Sequence, residues 1–143
     1  METTILNNKL ECPVIGIGTF MLSPADAENS VREALKMGYS LVDTANAYVN
    51  ERACGRGIQA SGLKRGDVFI STKLWPSEYE NENAVDETLE RLGVDYVDLL
   101  YIHQPAGNWM AEIAKLDKGE RYYHRTDEQL VGFAAWRPDF EKA

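Results

Sequence analysis

Residues 40–51 read SLVDTANAYVNE, and how this stretch is understood decides the fold. The apolar pair Leu41–Val42 runs directly into Asp43, and five residues later Tyr48 stands in a loop just ahead of a helix start. An ordinary strand-to-helix turn has no need of either side chain. The same pattern recurs along the chain. "DVFISTKLW" (67–75) is an apolar strand carrying Lys73 near its carboxyl end, and "YVDLLYIHQP" (96–105) is another carrying His103. Asp43, Lys73 and His103 are thus thirty residues apart, one strand–helix unit each. A titratable residue at the same height on three successive strands turns all three toward one end of a sheet, the end at which catalytic groups gather in a (β/α) barrel.

The intervening segments carry helical signals. Ser23 fits an N-cap and Pro24 the first helical position, with Ala27, Val31, Ala34 and Leu35 on one face and Gly38 as the stop. A second helix starts near Asn50, with Cys54 and Ile58 inward and Gly62 past its end. A third is expected with acidic first turns (Glu78, Glu80, Glu82) and an apolar stripe of Val85, Leu89 and Leu92. Upstream, "TTILNNKLECPVIGIG" (3–18) predicts a hairpin around Asn7 and Asn8, then a strand ending at Gly16 to Thr19. Four strands alternating with three amphipathic helices imply a parallel sheet with right-handed crossovers.

Composition bounds the partners. The 143 residues suit one domain, and 44% hydrophobic with 27% charged residues predicts a packed core. A formal charge of −8, from 23 acidic and 15 basic side chains, disfavours nucleic acid and anionic lipid as partners. Cys12 and Cys54 are far apart and form no metal-ligand cluster with His103 or His124, so no metal is expected and both read as buried free thiols of a reducing compartment. "METTILNNKL" lacks the basic and apolar regions of a leader, and no apolar run reaches the ~18 residues of a membrane span. A cytoplasmic protein is expected.

Singly, Asp43 could order a loop, Tyr48 could pack on it, Lys73 could snorkel and His103 could bond to backbone. Jointly they suit one chemistry. A phenol with a reference pKa of about 10 is a poor acid or base near neutrality unless a cation stabilises the phenolate. Lys73 can supply that cation, Asp43 can keep it charged and in place, and a neighbouring histidine can donate to a carbonyl oxygen. Such a set suits protonation of a carbonyl oxygen as hydride reaches the carbon, which calls for a nicotinamide cofactor.

These segments resemble the aldo-keto reductase superfamily. "GIGTF" (16–20), "DTANAYVNE" (43–51), "STKLW" (71–75) and "YIHQP" (101–105) match four of its motifs in order. The resemblance implies NADP(H)- or NAD(H)-dependent reduction of small aldehydes or ketones. It makes Tyr48 the general acid, tuned by Lys73 and Asp43, with His103 orienting the carbonyl. Trp75 and Phe20 become walls of the substrate pocket, and Gly18, Thr19 and Asp43 lie near the nicotinamide. It also implies a truncated TIM-type barrel. Residues 1–105 match the family's N-terminal half, whereas 110–143 resemble its helical tail, with a seam at about Asn108 to Ala111.

In that tail, Met110, Ile113 and Ala114 have helical spacing, Thr126 and Gln129 form a capping box, and Tyr122 and Tyr123 read as packing residues. Such a half-barrel predicts a homo-oligomer, a dimer closing an eight-stranded ring, because its inward face otherwise stays open. The rival is a tail folded over that face. A second functional class also stands: a catalytically inactive half-barrel, or interaction protein, that lacks most of the cofactor site.

Overall fold

The computed structural model describes residues 2–104 and 115, and its first unit, up to Gln104, holds every element below. Strands β1 (Thr3–Ile5) and β2 (Glu11–Pro13) pair antiparallel as the expected hairpin. Its turn needs a left-handed residue, and Lys9 takes that position at φ 70°. Next come β3 (Ile17–Gly18), α1 (Pro24–Lys36), β4 (Leu41–Asp43), α2 (Glu51–Ser61), β5 (Phe69–Leu74), α3 (Ala84–Leu92) and β6 (Leu99–Ile102).

The last four strands form one parallel sheet in the order β3-β4-β5-β6. Consecutive order means that each crossover advances the sheet in the same sense, as in a barrel; a doubly wound sheet reverses midway. The helices accordingly form a single layer. α1 packs on α2 and α2 on α3, and all three bury residues in one core with the sheet: Val31 and Leu35, Cys54 and Ile58, Leu92, against Val42, Val68 and Ile70. This is four strands and three helices of a (β/α) barrel wall.

Register divides the sheet into two faces, because successive side chains alternate. Ile17, Val42 and Ile70 are in register and face the helices. Gly18, Asp43, Ser71 and Leu99 make the next row, on the opposite face, and Lys73 pairs with Tyr101 two residues further on. The helix layer needs close approach at α2. A Cβ on Gly55 would lie 2.1 Å from the Leu92 carbonyl oxygen, and one on Gly57 2.6 Å from that of Glu28.

α1 is as expected: Ser23 Oγ accepts from the Asp26 amide, and Ala27, Val31, Ala34 and Leu35 are buried. α2 also follows expectation, with Gly62 left-handed at its C-cap. α3 departs from it. Pro76–Glu78 is a separate 3-10 turn, so Glu78, Glu80 and Glu82 precede the helix, and Asp86 and Glu87 are its first-turn acids. Ala84, Thr88 and Leu92 are buried and Val85 is 43% exposed. Thr88 tolerates burial because its hydroxyl accepts from Arg91 Nη2 at 2.9 Å, and the buried stripe runs Ala84–Thr88–Leu92 rather than through Val85. Cys54 is buried as expected, whereas Cys12 is only partly so. The expected tail helices lie outside the described residues. No described helix is long and apolar enough to cross a membrane.

Candidate active site

Asp43 is the last residue of β4, Lys73 lies near the end of β5, and His103 follows β6. Parallel pairing brings these three strand ends to one edge of the open face. Lys73 Nζ donates to Asp43 Oδ2 and to the Thr44 carbonyl, both at 2.7 Å. Ser71 Oγ donates to the other Asp43 oxygen at 2.5 Å. The lysine side chain retains 16% of its exposure, so the ion pair is shielded more than a surface pair would be. Two of its three donors are used, which leaves one among the described residues.

Tyr48 reaches the same point from a 3-10 turn, Asn46–Tyr48, between β4 and α2. Its ring centre is 5.1 Å from Lys73 Nζ, 5.0 Å from the Phe20 ring and 5.9 Å from the His103 ring. Trp75 meets His103 edge-on at 5.1 Å. The four polar residues picked out in the sequence and both aromatic walls therefore occupy one cluster.

His103 is set apart electrostatically. Burial holds its pKa below the usual imidazole value of 6.5, and the Lys73 charge lowers it further against the opposing pull of Asp43. The ring is neutral near pH 7, so one nitrogen can donate while the other accepts. Nδ1 is buried without a hydrogen-bond partner among the described residues.

Gly18 and Thr19 divide the space beside Asp43. A Cβ on Gly18 would meet nothing within 4 Å among the described residues, so the open face is clear at that point. Thr19 is fully buried, and its hydroxyl is committed to the Asp43 carbonyl at 3.3 Å and Asn50 Oδ1 at 3.4 Å.

Several supporting residues escaped the sequence reading. Asn46 Oδ1 accepts from the Trp75 amide at 2.9 Å, tying the tyrosine turn to the tryptophan loop. The Tyr79 hydroxyl donates to the His103 carbonyl. Behind the sheet, Glu51, with 1% of its side chain exposed, accepts from Thr72 Oγ1 at 2.8 Å and Arg91 Nε at 2.7 Å, joining α2, β5 and α3. Asn46, Asn50 and Glu51 lie inside the quoted motif, which was the available signal; Tyr79 had none. Among the described residues no group of three metal-ligating side chains occurs.

The arrangement can hold a lysine ammonium beside a phenol, with a neutral imidazole across from it and an apolar rim. Known proteins share this segment. The aldo/keto reductase family matches residues 14–129. An aldo-keto reductase of Mycolicibacterium vanbaalenii is 51% identical over 111 residues, 76% of this chain and 40% of that protein. Morphine 6-dehydrogenase of Pseudomonas putida is 40% identical over 137 residues, 94% of this chain and 46% of that protein. The crystal structure of an aldo/keto reductase from Brucella melitensis superposes with a TM-score of 0.70 at 40% identity, covering 82% of this chain and 49% of the other. The aldose reductase of Schistosoma japonicum gives 0.68 at 38% identity, covering 72% and 36%. The chain spans less than half the length of these relatives. With the strand order, the residues at the strand ends and the family match over residues 14–129 in agreement, the chain belongs to the aldo/keto reductase family.

Proposed function

We propose that this chain carries the proton-donating half of a carbonyl reductase that acts on small aldehydes or ketones with NADPH or NADH. The observation that carries the reading is the contiguous set Asp43–Lys73–Tyr48: a carboxylate 2.7 Å from an ammonium that itself lies 5.1 Å from the phenol ring centre. Tyr48 gives its proton to the carbonyl oxygen of the substrate. Lys73 stabilises the phenolate this leaves, which is what lets a phenol act near neutrality. Asp43 holds Lys73 in place. His103, neutral, donates to the same carbonyl oxygen and sets its direction. Phe20 and Trp75 line the rim and exclude water from the reacting carbon.

When bound, the nicotinamide supplies the hydride. The residues for its ring end are Gly18, whose open side leaves space, and Asp43 beside it. Thr19 serves there by fixing Asp43, its amide donating to the Asp43 carbonyl at 3.0 Å. The substrate is a small apolar-bodied carbonyl compound, since the rim is aromatic.

NADPH and NADH titrations followed by tryptophan fluorescence test cofactor binding separately from turnover, because Trp75 lies beside the proposed site. Quenching is expected in the wild type and in Tyr48→Phe, with carbonyl reduction lost in the variant. Turnover that survives in Tyr48→Phe refutes the mechanism. Absence of quenching at millimolar cofactor favours the second reading, a non-catalytic interaction module. The observation on that side is β6, whose Leu100, Tyr101 and Ile102 are 37%, 46% and 51% exposed at the sheet edge, as a second copy closing the ring would require. Sedimentation equilibrium reads that dimer directly.

A further inference from the structure

Asn50 occupies the N-cap position of α2 yet its side chain does not cap that helix. An asparagine there ordinarily accepts from the first-turn amides. Here the carboxamide, on a residue only 1% exposed, turns instead onto the loop between β3 and α1. Nδ2 donates to the carbonyls of Thr19 at 2.8 Å and Leu22 at 3.1 Å. Oδ1 accepts from Thr44 Oγ1 at 3.2 Å and Thr19 Oγ1 at 3.4 Å, with Cys54 Sγ at 3.7 Å. One side chain thus spends both its donors and most of its accepting capacity on loops, with the Cys54 thiol as its one partner from α2.

The two loops it joins are both kinked. Thr19 and Leu22 are the ends of a four-residue turn closed by the Leu22 amide on the Thr19 carbonyl at 3.2 Å, with Phe20 and Met21 in the middle. Met21 is left-handed, φ 62°, at the third position, where glycine is the usual occupant. On the other side, Val49 immediately precedes Asn50 at φ 59°, ψ 17°, with its side chain 85% exposed. A β-branched residue in that region is an outlier that persists only where its surroundings impose it. The residue before each kink is aromatic: Phe20 before Met21, Tyr48 before Val49. Their rings meet at 5.0 Å.

We propose that Asn50 is the positioning residue of the Phe20–Tyr48 pair: its carboxamide clamps the left-handed turn at Met21 and fastens it to Thr44 at the head of the Tyr48 loop, and so sets the ring spacing that holds the phenol against Lys73. Through Thr44, whose carbonyl accepts from Lys73 Nζ, the same clamp fixes one of the lysine's acceptors. The consequence for turnover rests on the reading of Tyr48 as proton donor; the ring placement does not.

The test uses isotope-labelled full-length chain. In Asn50→Ala, the nuclear Overhauser contacts between the Phe20 and Tyr48 rings are expected to vanish while those among Val31, Ile58 and Ile70 in the core persist. Adding Met21→Gly should restore the ring contacts, because glycine holds the left-handed turn without a clamp. A passive buried asparagine would show no such rescue. In active protein, Asn50→Ala should lower kcat on the order of a hundredfold with less change in KM, as expected for a misplaced reacting group, and Met21→Gly should recover it. If Asn50→Ala loses its core contacts, Asn50→Asp replaces it. That variant keeps the acceptor but loses both donors, and should free Phe20 alone. Ring contacts unchanged in the variants, or unrestored by Met21→Gly, overturn the proposal. If the wild type shows no carbonyl turnover the function reading fails, while the ring contacts still decide the clamp.

Discussion

Gly55→Ala should destabilise the protein although alanine is the better helix former. The new Cβ would stand 2.1 Å from the Leu92 carbonyl oxygen, 2.7 Å from its carbon and 3.2 Å from Leu92 Cα, all backbone atoms. Comfortable contact begins near about 3.5 Å, so the end of α3 must retreat by more than about 1 Å. That turn is pinned on its other side, since Leu92 is 2% exposed in the core and Gly93 closes the helix in the left-handed region. Retreat therefore unpacks the core as it relieves the clash. Overpacking of this kind costs about 1–3 kcal/mol, and the forced gap at Leu92 puts the site at or above the upper end. The propensity gain of Ala over Gly offsets only about 0.8–1.0 kcal/mol. A net loss of about 2 kcal/mol corresponds to a fall in Tm of about 8–16 °C for a unit of this size. Gly66→Ala is the control: it has ordinary φ and, among the described residues, nothing within 4 Å, and should gain about 0.4–1 kcal/mol by restricting the unfolded chain. Circular dichroism melts with urea titrations, compared for coincidence, measure both. A Gly55→Ala variant as stable as the wild type would refute the close helix approach.

Glu51→Ala leaves the Thr72 hydroxyl without its buried acceptor and Arg91 with only Glu87 and Thr88, and should cost about 1–3 kcal/mol in urea titration, whereas Glu51→Met combined with Arg91→Met should recover most of it. For His103, the folded pKa lies below the unfolded value of 6.5, so as pH falls through 6.5 the unfolded chain takes up a proton that the folded ring refuses, and stability declines. Above 6.5 both states are neutral and the effect is absent; the urea midpoint of wild type should drop relative to His103→Gln as pH is lowered from 7 toward 5. Lys73→Met removes the cation beside Tyr48 and should abolish carbonyl reduction while leaving the circular dichroism spectrum in place. Equal turnover in the variant would exclude the lysine from the chemistry.

The elements most legible in the sequence were those with chemical punctuation. Ser23 and Pro24 fix the start of α1, and its four inward positions follow from the helical period. α3 was misread because acidic residues ahead of it imitate a first turn, and because the inward Thr88 owes its place to a hydrogen bond from Arg91, which counting apolar residues cannot see. The convergence of Asp43, Lys73 and His103 was legible because three units of equal length put the same strand position at each site. Contacts of Asn50 were not, since they depend on how two loops kink toward each other, and Met21 and Val49 give no local warning of a left-handed backbone; those of Asn46 and Tyr79 join loops that follow different strands, which sequence spacing does not reveal.

The parallel order also grades how firmly the cluster is held. Asp43 stands on a strand paired on both sides, and Lys73 likewise, whereas among the described residues β6 pairs only with β5 through four residues. His103 is anchored past that strand's end by its amide on the Leu74 carbonyl at 2.9 Å and by the Tyr79 hydroxyl on its own carbonyl. Strand-edge fraying costs less than opening the interior of the sheet. The amide of His103 should accordingly exchange with solvent deuterium well before that of Thr44, whose bond to Ser71 lies between inner strands. On warming, His103 comes loose while the ion pair beside the phenol is still closed, so under the proposed function selectivity for substrate geometry would fade at temperatures where the fold of residues 2–104 still stands.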